Sequence, residues 1–183
     1  MKTIKIASIA LVCALFSNCS NDDDAPPVVI NEEEVITTVA LTLTPDSGSP
    51  IVLQTTDLDG DGPNPPVTTI SGPFSANTTY TGGIVFLNET ETPVESITEE
   101  VLEEADEHQV FYTVSAGLNI TTTYEDMDGN GNPLGLSITL TTGEASDGSL
   151  TVTLRHEPTK PNDGIDDAGG ETDISTTFNV VVQ

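Results

Sequence analysis

The chain is short of nearly everything that carries positive charge. Four Lys plus Arg stand against 30 Asp plus Glu in 183 residues, a formal net charge of −26. Two of those bases, Lys2 and Lys5, fall in the first five residues, which leaves Arg155 and Lys160 for the remainder. Nucleic-acid binding by phosphate neutralisation needs clustered bases and is excluded, as is electrostatic adhesion to an anionic bilayer. Cysteine is scarce as well: Cys13 lies in an apolar run and Cys19 just beyond it, so residues 20–183 hold no thiol for a disulfide or for nucleophilic catalysis. A Gly-rich phosphate loop and a Gly-x-Ser-x-Gly elbow are missing. With so many acids, any pair of carboxylates is uninformative about glycoside hydrolysis, and the chain is expected not to be an enzyme. There is no Trp, and three Tyr with five Phe imply a mainly aliphatic core. The apolar run at 6–16 is too short for a spanning helix.

What is present begins with an address. Residues 1–18 read as an export signal, with Lys2 and Lys5 ahead of the apolar run and Cys19 leading Ser-Asn-Asp-Asp-Asp. This pattern resembles bacterial lipoprotein signals, in which the Cys becomes the acylated first residue. Asn18 before the Cys and the acidic stretch after it are similar to lipoproteins of the Bacteroidota, where that stretch accompanies display on the outer face of the outer membrane. The resemblance implies a lipid anchor, such as palmitate, on Cys19. The alternative is an ordinary signal peptide that happens to contain a Cys. Removing residues 1–18 takes away two bases and no acid, so the mature charge is more negative still. Residues 19–34, with Pro26, Pro27 and six acids, read as a self-repelling tether spanning roughly 20–24 Å. Residues 35–183 are then one domain, long enough to bury a core.

In that domain, apolar and β-branched residues recur with period two. Val39, Leu41 and Leu43 alternate with Thr38 and Thr42; Leu150, Val152 and Leu154 alternate with Thr151, Thr153 and Arg155. Strands are predicted at 35–43, 51–55, 67–70, 80–88, 109–115, 118–125, 135–141, 149–156 and 174–182, separated by Gly/Pro/Asn/Asp clusters. The fold class is therefore all-β: an antiparallel β-sandwich of about eight or nine strands, immunoglobulin- or fibronectin-like or jelly-roll-like. The segment 74–80 (Phe-Ser-Ala-Asn-Thr-Thr-Tyr) resembles the turn-then-Tyr segment of fibronectin type III domains, in which the Tyr hydroxyl closes a corner against nearby backbone. One short acidic helix is predicted near 96–106. Ser96 and Glu99 have capping-box spacing, and Ile97, Val101, Leu102 and Ala105 form an apolar stripe. Glu99, Glu100, Glu103 and Glu104 face outward and repel one another.

Strand parity turns the charge into a map. If each connection stays at its own end, turns 44–49, 73–79, 116–117 and 142–148 share one pole. Connections 57–66, 89–107, 126–134 and 157–173 share the other, which holds 21 of the 30 acids when Glu125 at its rim is counted. The acidic pole also receives the long connections, where function concentrates.

Two stretches on that pole share the pattern D-x-D-G-[DN]-G: Asp57, Asp59 and Asp61, and Asp126, Asp128 and Asn130. The spacing matches the first ligands and the turning Gly of EF-hand-like calcium loops. Thr68 and Ser137 stand where the bidentate Glu would be, and the same pattern is good turn chemistry in its own right. His108 and His156, the two histidines of the chain, extend the inward faces of their strands and end at the same pole. Imidazoles beside carboxylates suit zinc or another transition metal; two hydrogen-bonded histidines at the edge of the core are the alternative. Arg155 points the other way and is expected to be an ion-pair partner.

The segments Leu-Asn-Glu-Thr (87–90), Asp-Glu-His-Gln-Val-Phe-Tyr (106–112), Leu-Arg-His-Glu-Pro-Thr-Lys (154–160) and Gly-Gly-Glu-Thr-Asp-Ile (169–174) resemble a group of small flavobacterial lipoproteins. Proteins of that group often carry the label "type 1 periplasmic binding fold", a two-lobed α/β architecture that the strand pattern contradicts. The resemblance implies a place at the outer membrane and lends no catalytic residue. Together these readings predict a surface lipoprotein whose acidic pole binds calcium or zinc beside an outer-membrane receptor. The rival is a cation-independent adhesin or glycan binder that uses the long loops.

Overall fold

The computed structural model describes residues 34–60 and 62–183. The leader, Cys19, the tether up to Glu33 and Asp61 lie outside the described residues. In chain order the elements are β1 (Thr38–Pro45), β2 (Ile51–Thr56), β3 (Val67–Ile70), β4 (Thr79–Asn88), β5 (Glu95–Ser96), α1 (Ile97–Glu103), β6 (His108–Val114), β7 (Ile120–Tyr124), β8 (Ser137–Thr142), β9 (Ser146–His156), α2 (Ile165–Ala168) and β10 (Glu171–Val182). All nine predicted strands form, and every pairing between named strands is antiparallel. One sheet runs β3-β2-β1-β4-β8-β7, with β5 beside β4; the other runs β10-β9-β6. This is the expected all-β sandwich.

Period two explains how the layers close. Val39, Leu41 and Leu43 of β1, Ile84 and Phe86 of β4, Ile138 and Leu140 of β8 join Leu150, Val152 and Leu154 of β9 and Phe178, Val180 and Val182 of β10 in one buried cluster. Each fully buried Leu or Phe contributes about 1.5–3 kcal/mol of transfer free energy. Thr55 of β2 and Thr176 of β10 bridge the two sheets by a buried hydroxyl pair at 2.8 Å. Tyr80 closes its corner as the fibronectin-like segment implies: the Ser75 N–H donates to its hydroxyl at 2.8 Å, and its ring meets Phe74 edge-on.

The helix is correct in place and partly different in detail. Ser96 occupies the N-cap but makes no side-chain cap bond. Instead Thr98 fastens α1 to β4: its hydroxyl accepts from Phe86 N–H at 2.7 Å and donates to the Phe86 carbonyl at 3.1 Å. Ile97 and Val101 are buried, whereas Leu102, about 140° around the helix from Ile97, is exposed. No helix among the described residues is long and apolar enough to cross a membrane.

The poles fall where strand parity puts them, except that part of the connection after β9 leaves its pole: residues 163–167, with Asp163, Asp166 and Asp167, line a pocket beside Thr113 and Val114 near the far end of β6. At one end Thr142 bonds Ser75 and Thr78, Asn119 bonds Glu144, and Ala76 bonds Gln183. At the other, Asp57 bonds Thr37, Gly129 bonds Asp106, and Glu157 bonds Glu107. The connection after β9 also folds back along β6, where Asn162 Nδ2 donates to Gln109 Oε1 at 2.8 Å.

Candidate metal centre

The two D-x-D-G-[DN]-G loops share a pattern but not a use. In the first, Asp57 Oδ1 accepts from Asp59 N–H at 3.3 Å, and Asp59 Oδ2 accepts from Asn64 Nδ2 at 2.7 Å. Asp59 is exposed, and these bonds hold the described part of the loop as a turn; its third acid, Asp61, lies outside the described residues. In the second loop, Asp126 turns away: Gly135 N–H donates to its Oδ1, and Leu136 and Ser137 N–H donate to its Oδ2. Asp128 Oδ1 accepts from the backbone of Asn130 and Asn132. Asn130 is exposed and joins the loop through that N–H.

The other oxygen of Asp128 already has a cation. Lys160 Nζ lies 3.1 Å from Asp128 Oδ2 and also donates to the carbonyls of Ala105 (2.7 Å) and His108 (2.5 Å). All three ammonium protons are thereby matched to oxygen acceptors. Burial pushes the Asp128 carboxyl up, but the hydrogen bonds from Asn132, Lys160 and Asn130 outweigh it and bring the group down to about 2. The structure thus commits Asp126 and Asp128 to separate donors. Arg155 differs from expectation: its Nη1 donates to the Gly170 carbonyl at 3.2 Å, and no carboxylate among the described residues pairs with it.

His108 and His156 converge as strand parity requires. They are direct cross-strand partners in the β6–β9 register, and their rings stack with centroids 4.8 Å apart. His108 is wholly buried and His156 nearly so. The His108 Nδ1 lies 3.2 Å from the Glu104 carbonyl, which only accepts, so the Nδ1 carries the proton. In the neutral ring Nε2 is then a lone-pair acceptor. It lies 3.6 Å from Glu34 Oε1 and 3.9 Å from Asp173 Oδ2 and makes no hydrogen bond. His156 Nδ1 lies 4.0 Å from Asp173 Oδ1.

Desolvation accounts for the electrostatics. Burial lowers the His108 pKa, outweighing the bond to Glu104 that raises it. Burial also raises the Glu34 carboxyl, and Glu100, Asp173, Glu104 and Glu95 add to it, bringing the group to about 7. Donor atoms of His108, His156 and Asp173 all lie within 4.8 Å of one another, as do those of Glu34, Glu104 and His108. A third group, Glu107, His156 and Glu157, lies on the outer side, where both glutamates are exposed.

Sequence reading missed Asp173 and Glu34. Asp173 was counted as a loop acid because β10 was expected to start at Ile174. The strand starts earlier, and a β-bulge between Thr172 and Ile174 makes Asp173 the extra residue. Its side chain is only 1% exposed. Period two alone would have sent it to the outer face. Gly170, at φ +70°, lets the start of β10 lie against the His156 carbonyl, where a Cβ would collide. Glu34, assigned to the tether, belongs to the domain, because its side chain is 9% exposed against His108. No protein-family model, curated protein sequence or solved structure matches the chain.

Proposed function

We propose that this chain is a lipid-anchored outer-membrane lipoprotein, facing the cell exterior, whose acidic pole binds cations beside an uptake receptor. The leader pattern around Cys19 and the likeness to small flavobacterial lipoproteins support the address. One observation carries the binding reading: the strand topology gathers four acid-rich connections at the end where His108 and His156 meet. Calorimetry of the full chain in detergent, without a polyhistidine tag, tests it with calcium and zinc. Binding of either cation supports it; no heat and no shift in melting temperature with both sinks it. Cys19→Ala is expected to move the protein out of the membrane fraction.

The cation-independent reading retains one favouring observation. A groove of about 630 Å³ opens between β3 and β10, lined by Thr55, Thr68, Ser175, Thr176 and Thr177, with Glu34 and Asp173 at its end. That volume is usual for a ligand site. Glycan or protein binding that persists in chelator would favour it. Two of the three tyrosines do not help a sugar: Tyr80 is buried, and the Tyr112 hydroxyl is bonded to the Gly135 carbonyl.

A further inference from the structure

We propose that His108, His156, Asp173 and Glu34 are the ligands of a zinc-class divalent ion, an inference that rests on the cation-binding reading and names its site and its ion. The tautomer comes first. With its proton directed at the Glu104 carbonyl, His108 aims a buried lone pair at the carboxylates of Glu34 and Asp173. With Glu34 ionised, acceptors face acceptors, and a cation among them turns that repulsion into coordination. A backbone carbonyl behind the imidazole is also the usual outer partner of a metal-bound His, since it fixes ring orientation and raises ligand basicity.

Distances agree with a small ion. Zinc bonds of about 2.0–2.2 Å to nitrogen and oxygen place tetrahedral ligands roughly 3.3–3.5 Å apart. His108 lies 3.6 Å from Glu34 and 3.9 Å from Asp173, His156 lies 4.0 Å from Asp173, and the donor atoms of the two histidines and Asp173 fall within 4.8 Å of one another. A contraction of up to about one ångström brings these three onto an ion, with Glu34 adjoining through His108. The donor set selects the ion as well. Two imidazole nitrogens suit zinc-class metals, whereas calcium takes six to eight oxygens. The supports are rigid: both histidines lie on paired strands, the bulge in β10 aims Asp173, and Lys160 holds the His108 carbonyl. Glu34 adds the segment just before β1, so loading joins the start of the domain to β6, β9 and β10.

The test titrates the full chain in detergent with zinc, calcium and cobalt(II). The variants are His156→Gln, Glu34→Gln and Asp173→Asn, with the pair Glu107→Gln and Glu157→Gln as control. One equivalent of zinc is expected to bind. His156→Gln and Asp173→Asn should weaken it about 100-fold, and Glu34→Gln about 10-fold. The outer glutamate pair should leave the affinity unchanged, and cobalt should give the intense visible bands of a tetrahedral centre. Unchanged affinity in His156→Gln and Glu34→Gln, or loss in the Glu107/Glu157 pair alone, would overturn this ligand set. Calcium binding without zinc overturns the inference and leaves the broader reading standing; binding of neither sinks both. Should the variants lose their fold, the wild-type cobalt spectrum decides, an octahedral one counting against the proposal.

Discussion

Asp128 and Asp173 are carboxylates of the same acidic pole, with side chains 0% and 1% exposed, yet their surroundings are opposite. Asp128 faces an ammonium whose three protons are matched to oxygens and whose stem comes from the start of the connection after β9. Asp173 faces two imidazoles and lies beside a second carboxylate, Glu34. The first cluster carries its own lysine counter-ion, whereas the second sets two imidazoles against two carboxylates. The two are linked, since Lys160 also holds the His108 carbonyl. A chain with two bases beyond its leader has committed one of them here. Acid count therefore says little about where a foreign cation binds; the placement of Lys160 says more.

The largest effect that could break this contrast is Lys160→Met. Removing one partner of a buried pair leaves Asp128 and two carbonyls facing an apolar tip, and should cost about 3–5 kcal/mol in denaturant unfolding. A loss below about 1 kcal/mol would mean that the backbone N–H donors suffice for Asp128 and that the two clusters are alike. Next comes metal-linked stabilisation: zinc at a hundredfold excess over its Kd should add about 2.7 kcal/mol. That increment should vanish in His156→Gln and survive in any Lys160→Met protein that folds.

A smaller effect follows from acid. The folded Asp128 carboxyl, at about 2, lies below its ordinary 3.8. Its contribution, at most about 2 kcal/mol, is complete above roughly pH 4 and is lost as pH falls through about 2. Asp128→Asn should flatten that part of a stability–pH profile, and an unchanged profile would remove the linkage. Smallest is Asp59→Ala. In an exposed turn it should stay within about 0.5 kcal/mol in a melting experiment, although its loop shares the pattern of the Asp128 loop.

Much of the fold was legible because strand alternation is a local property. Val39 to Leu43 and Leu150 to Leu154 expose period two directly, and Gly/Asn/Asp turns separate the nine strands. The two-residue β5 is too short to show a period, and α2 is one turn. Half of the candidate centre was legible for the same reason: His108 and His156 continue the inward parity of Val110 and Leu154. Asp173 was hidden because a bulge breaks parity where it matters, and Glu34 because it precedes the first alternating residue. Lys160 was visible as a rare base, but nothing local points it at Asp128, 32 residues away.

The bulge in β10 sets the fold and the candidate centre against each other. Without Asp173, Thr172 and Ile174 would be consecutive, and their partners Arg155 and Leu154 already are. A one-residue deletion would therefore repair the ladder, give β10 unbroken alternation and remove the carboxylate between the histidines. The shortened chain should make a more regular sheet. Such a deletion separates what folding needs at this edge from what the centre needs, which no substitution at Asp173 can do.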